Sequence, residues 1–175
     1  MLDIRFKILL ILCFLLLTVS FANKNNPSKE TTVYIFLSET CPICQSYTLT
    51  LKELYKKYNP QKINFIGVFP NYYSTQSSID EFKKKYSIPF ELILDKKGEL
   101  TKHFNATITP EVFVENPVSK ILYSGRIDDS FYSLGKRRTV ITSNELADAL
   151  LEISLKQMIK SPKVQAVGCI ITASK

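Results

Sequence analysis

Two cysteines separated by two residues, Cys41-Pro42-Ile43-Cys44, are the part of this 175-residue sequence with the shortest route to chemistry. In disulfide exchange the thiolate, not the thiol, is the nucleophile, so the question is what would hold a negative sulfur at neutral pH. The run Thr31 to Ser38 (TTVYIFLS) is β-branched and aromatic. After the motif, apolar residues return at helical spacing: Ile43, Tyr47, Leu51, Leu54 and Tyr58. The motif is therefore expected between a buried strand and the first turn of a helix. Unsatisfied amides and partial positive charge at a helix N-terminus favour a thiolate at Cys41, and such positions lower a cysteine pKa from about 8.5 to roughly 3.5–7.5. Pro42 suits the first helical turn, where no amide hydrogen is needed. One turn on, Cys44 lies within disulfide reach, so one thiol can attack and the other can resolve the mixed disulfide.

Other chemistries compete for the same residues. Half a zinc site would need a second Cys/His pair, but beyond residue 22 the sequence offers only His103 and Cys169. A c-type haem would need a histidine after Cys44, where Gln45 stands. A purely structural disulfide remains open. No metal and no organic cofactor is expected.

The elements that must position the motif can be read along the chain. Ile63 to Phe69 (INFIGVF) is a second apolar strand, and Asn71 to Ser77 a polar loop. Ser78 with Glu81 spells a capping box for a helix over 79–86. Pro89 precedes a third strand at Phe90 to Leu94, and Leu100 to Phe104 reads as a short helix. Strands follow at Glu111 to Glu115 and Ile121 to Gly125, with an irregular stretch at Asp128 to Thr139. Thr142 and Glu145 then cap a last helix that Pro162 stops. Crossovers followed by one terminal hairpin predict an α/β chain with a central mixed β-sheet flanked by helices.

Composition bounds the rest. A hydrophobic content of 45% with 22% charged residues excludes a disordered tail, and five Gly with eight Pro exclude collagen-like repeats. Four Cys are too few for a disulfide-stapled miniprotein. The net charge of +7 comes mostly from scattered lysines, which reads as solubility; no nucleic-acid partner is expected. Ile8 to Ala22 is an apolar run behind Arg5 and Lys7, ending in Ser20-Phe21-Ala22. As a helix it would rise roughly 22 Å, short of the ~30 Å hydrocarbon core. Residues 1–22 thus predict a signal peptide cut after Ala22, with an uncleaved N-terminal membrane anchor as the alternative. Residues 23–30 are a polar tether, 31–161 the domain, and 162–175 a C-terminal tail carrying Cys169. The chain is expected to be exported, periplasmic or otherwise extracytoplasmic.

The stretches VYIFLSETCPIC, INFIGVFPN, IPFELILDKKGEL and TPEVFV, with the later GRIDD and VGCII, resemble the thioredoxin superfamily, in particular its exported AhpC/TSA and TlpA-like redoxin branch. The resemblance implies a thioredoxin-like fold and a thiol–disulfide oxidoreductase acting on protein thiols and disulfides, more often as a reductant, with a membrane or exported dithiol as electron partner. It also implies that Thr109-Pro110 is the cis-proline loop beside the CxxC motif, its Thr109 backbone pairing with an extended substrate segment; X–Pro is the bond where cis is cheap, about 0.5–1 kcal/mol. Departures are visible too. Thr40 stands where a Trp commonly precedes the first cysteine, and Ile35 replaces the buried acid of the first strand, leaving Glu39, water or no dedicated group to carry protons. The activating Arg of peroxiredoxins is not found, which argues against efficient peroxide reduction.

Cys169 has two readings, a third redox thiol or a small apolar residue in a tail strand. His103, Lys83–Lys85 and Lys136–Arg138 read as surface, and Arg126, Asp128 and Asp129 as a partner-facing loop. A metal- or partner-binding module without catalysis, using Cys41, Cys44 and Cys169, and a thiol peroxidase are the alternatives to the oxidoreductase.

Overall fold

The structure, a computed structural model, describes residues 30–172. The expected signal or anchor and nearly all of the tether lie outside the described residues. Strands β1 (Thr31–Phe36), β2 (Ile63–Phe69) and β3 (Glu91–Leu94) are mutually parallel, while β5 (Glu111–Glu115) runs antiparallel to β1 and β6 (Ile121–Gly125) antiparallel to β5. The order across the sheet is β3-β2-β1-β5-β6, so β1, which leads into the CxxC motif, is central. That position explains its composition: a strand covered on both faces is apolar at consecutive positions.

The two faces follow the period of two. Val33, Ile35 and Leu37 point into the larger core with Phe65, Val112 and Val114. The helices α2 (Thr48–Tyr58), α3 (Gln76–Tyr86) and α5 (Glu145–Ser154) close this core with Leu51, Tyr58, Ile79, Phe82, Leu146 and Leu150. On the opposite face Phe36, Val68 and Phe113 meet Phe104 from α4 (Glu99–Phe104) and form a second, smaller cluster. Phe104 stacks on Phe113 at 5.0 Å between centroids, a geometry that adds to simple burial.

Several boundaries differ from the sequence expectation. The continuous helix read from Ile43 to Tyr58 is two helices, α1 (Pro42–Ser46) and α2, with a break at Tyr47. α3 begins earlier than 79, because Thr75 rather than Ser78 is its N-cap; Ser78 is the return half of the box, its hydroxyl accepting from the Thr75 amide at 3.0 Å. α5 ends at Ser154 and is not carried to Pro162, and its expected cap residue Thr142 instead donates through backbone and hydroxyl to Asp129. The stretch expected to be irregular contains a short hairpin, β7 (Phe131–Ser133) and β8 (Lys136–Arg137). Two further strands, β4 (Ile108–Thr109) and β9 (Cys169–Ile170), pair antiparallel beside the motif. No helix among the described residues is long and apolar enough to cross a membrane.

Candidate functional site

The site starts where β1 runs out. Leu37 still pairs with β2 through Val68, and Ser38 to Cys41 form a turn closed by the Cys41 amide on the Ser38 carbonyl at 3.3 Å. Cys41 is the N-cap residue of α1, with extended backbone angles (φ −81°, ψ 116°), and Pro42 follows exposed at the first helical position. Ile43 and Cys44 turn into the core. The strand, turn and helix order read from the sequence therefore places Cys41 at a helix start and Cys44 one turn deeper.

Three sulfurs meet there. Cys44 is fully buried, with the Ser38 amide donating to its Sγ at 3.4 Å. The Cys41 Sγ reaches the Thr109 carbonyl at 3.4 Å and lies 2.8 Å from the Cys169 Sγ. All three cysteines are free thiols. The hydrogen bond from Cys44 is the largest influence on Cys41 and brings its pKa down to about 5 against the opposing effect of burial; Cys169 and the amides of Cys44 and Ile43 push the same way. Burial in turn drives Cys44 well above its ordinary value, reinforced by the negative charge on Cys41. Burial also raises Cys169, to about 12. One thiolate flanked by two protonated thiols is the charge state this geometry selects at neutral pH. A sulfur in that state is a nucleophile, and both neighbours are placed as donors to it.

Thr109 and Pro110 are buried beside Cys41, and the bond between them is cis. The resemblance placed them in this role; the structure brings the Thr109 carbonyl against the sulfur. Its outer edge is occupied by β9, with Thr109 opposite Cys169 and Ile108 opposite Ile170. Glu39 is not aimed at the cysteines. Its carboxylate accepts hydrogen bonds from Ser74 at 2.9 Å and Ser78 at 2.8 Å, so it fastens the CxxC turn to the start of α3.

Some residues near the site were not singled out in the sequence. Ser38, Thr40 and Tyr73 join their hydroxyls at 3.1–3.2 Å and close the turn before Cys41. The Tyr47 hydroxyl donates to Asp128 at 2.6 Å, deep under α1. Asp128 and Asp129 are both buried, which corrects their reading as a partner-facing surface. Asp129 accepts from Thr142, whose hydroxyl is the main cause of its pKa falling to about 2. Aromatic Tyr47 within an apolar helical pattern carried no signal that its oxygen had a partner 81 residues away. His103 is exposed and meets Glu115 at 3.0 Å, a surface role as read. No group of three or more His, Cys, Asp or Glu placed to hold a metal occurs among the described residues.

A mixed sheet with this strand order, a CxxC motif at the end of its central strand and a cis-proline loop alongside define a thioredoxin-like protein of the redoxin kind. Residues 18–129, well over half of the sequence, match the AhpC/TSA family, and the chain belongs to it. Sporulation thiol-disulfide oxidoreductase A of Bacillus subtilis (strain 168) is 26% identical over 110 residues, 62% of this chain and 67% of that protein. The chain spans about half the length of the thiol-disulfide oxidoreductases ResA of Bacillus thuringiensis and Bacillus cereus that it also matches. Among solved structures, an uncharacterized conserved protein from Geobacillus kaustophilus superposes with a TM-score of 0.75 at 22% identity, over 84% of this chain and 79% of that one. StoA from Bacillus subtilis gives 0.51 at 22% identity, over 57% and 75% of the two chains.

Proposed function

We propose that this protein is an exported thiol–disulfide oxidoreductase that exchanges disulfides with protein substrates, working in the reducing direction. The observation that carries the reading is the Cys41 sulfur, set at the start of α1 with Cys44 below it and the Thr109 carbonyl 3.4 Å away. In the reaction the Cys41 thiolate attacks one sulfur of a substrate disulfide, and the other substrate sulfur leaves as a thiolate and is protonated. Cys44 then loses its proton and attacks Cys41 Sγ, releasing the second substrate thiol. The products are a Cys41–Cys44 disulfide and two substrate thiols, and a partner dithiol returns the two electrons. Thr109 and Pro110 orient the substrate strand, Pro42 and Ile43 shape the surface and footing of the motif, and no cofactor takes part.

Relatives named as thiol-disulfide oxidoreductases support this activity. Export rests on the apolar segment Ile8 to Ala22 behind Arg5 and Lys7, which acts as a signal or as an anchor beside a membrane electron donor. Residues 31–161 are the catalytic domain in this reading, with 162–175 as an appended tail. The test is reduction of insulin disulfides with dithiothreitol as electron source, together with the potential of the Cys41–Cys44 pair in glutathione buffers. Cys41→Ser is expected to lose turnover by at least about a thousandfold, the scale on which removing a nucleophile acts. The pair should titrate near about −250 mV or lower. A variant that keeps full turnover without Cys41 rules the reading out, and a potential near about −150 mV reverses the direction.

A further inference from the structure

Exchange between Cys41, Cys44 and a substrate leaves Cys169 without a task, although its sulfur is 2.8 Å from Cys41. The segment that carries it is fastened at several points. Near its start, the Ser124 amide donates to Pro162 and the Val164 amide to Ser124, both at 2.9 Å. It then crosses to β4, where Cys169 stands opposite Thr109 and the Ile171 amide donates to Thr107 at 2.9 Å. Beyond that, the Thr172 amide donates to the Asn71 side chain at 2.8 Å, and its carbonyl accepts from the Tyr72 amide. Gly168 lies so close to the Thr109 carbonyl that a Cβ there would collide with it. Between these fastenings Val164 and Val167 of the tail line an open cleft of about 480 Å³ together with Thr107, Glu111 and Leu134. The tail is held by backbone pairing at its ends, with Val164, Cys169 and Ile171 packed against the two cores.

This arrangement has the form of an extended peptide paired with the Thr109 edge and presenting a cysteine to Cys41. We propose that Cys169 is a third redox residue, an internal disulfide partner for Cys41, and that β9 occupies the position of a substrate strand until an external protein displaces it. The inference rests on the oxidoreductase reading of the site and adds a residue outside the segment that matches the family. In the internal step Cys169 loses its proton to solvent and attacks Cys41 Sγ of the Cys41–Cys44 disulfide. The Cys41–Cys169 bond forms, the Cys41–Cys44 bond breaks, and Cys44 leaves as a thiolate that takes up a proton. No electrons enter or leave, so the step moves the disulfide toward the surface without changing the oxidation state of the protein.

The test uses the full chain carrying Cys44→Ser, equilibrated with oxidised and reduced glutathione, then alkylated and mapped by mass spectrometry. Oxidised glutathione first forms a mixed disulfide on Cys41, and Cys169 displaces reduced glutathione from it. The expected product is an intramolecular Cys41–Cys169 disulfide, lighter than the reduced chain by two hydrogens. A stable glutathione adduct on Cys41 with Cys169 open to alkylation overturns the proposal. Adding Gly168→Ala to the same background should push β9 off Thr109 and raise the adduct several-fold over the internal disulfide; an unchanged ratio means that the strand does not position Cys169. Failure of the oxidoreductase reading shows separately, as wild-type protein without a reversible Cys41–Cys44 disulfide or insulin turnover.

Discussion

At the scale of single residues, the three thiols divide one charge unequally. Cys41 sits at about 5 chiefly because Cys44 donates to it, whereas burial pushes Cys44 and Cys169 upward. The ultraviolet absorbance of thiolate in the reduced protein should therefore rise with a midpoint near pH 5. Cys44→Ala, which removes the largest lowering influence, should shift that midpoint upward toward the ordinary thiol value of about 8.5. A midpoint that ignores the substitution contradicts the assignment. The sign for stability follows from linkage. Cys41 binds its proton more weakly when folded, so the unfolded chain holds more protons between about pH 5 and about pH 9. Its contribution is present above the upper limit and is lost as pH falls through the lower. The stability difference between reduced wild type and Cys41→Ala should accordingly grow in favour of wild type as pH rises across that window. The sequence contained the ingredients of this result, a CxxC motif at a helix start. It raised Cys169 as a third redox thiol without placing it, because nothing in the spacing of Cys41 and Cys169 says that residues 128 apart will touch.

At the scale of elements, periodicity was legible and its interruptions were not. Ile43, Tyr47, Leu51, Leu54 and Tyr58 do face one core, as their spacing predicts. The backbone nevertheless breaks at Tyr47, whose amide is shared between the carbonyls of Ile43 and Cys44 while its hydroxyl is held by Asp128. Hydrophobic spacing carries no record of a hydrogen bond between segments 81 residues apart. Tyr47→Phe should cost about 1–2 kcal/mol, since a buried carboxylate loses one donor and keeps the Ser130 amide. Chemical denaturation of the reduced variant measures this; a loss below about 0.3 kcal/mol would show that the pair is energetically idle. The shift of α3 toward Thr75 has a similar origin: Ser78 can serve as either half of a capping box, and its hydroxyl also meets Glu39 of the CxxC turn, 39 residues away. The β7–β8 hairpin escaped notice because two- and three-residue strands are too short to show alternation.

For the whole molecule, the sheet was readable to within a residue or two at each strand, since strands covered on both faces announce themselves in composition. The tail strand was read only as one option for Cys169, because a two-residue strand leaves no side-chain pattern that fixes its partner. Its anchorage has a mechanical weak point at Gly125, with φ +140° and no room for a Cβ against the Val164 carbonyl. Gly125→Ala forces either the strained backbone, at about 1–3 kcal/mol, or separation of the tail from β6. Hydrogen exchange at the Ser124 and Val164 amides should then accelerate roughly tenfold or more, as expected for about 1.4 kcal/mol, with Val33 and Val114 unchanged. Equal acceleration throughout the sheet would mean that the tail and the domain open as one unit.

The covering of the reactive sulfur by a strand near residue 170 also imposes an order in time. A chain emerges from the ribosome with Cys41 and Cys44 more than a hundred residues ahead of Cys169. Until residues 169 and 170 follow, β4 has no β9 to pair with. A disulfide met before that point meets Cys41 without Cys169, and the contact between the two sulfurs is a property of the finished molecule alone.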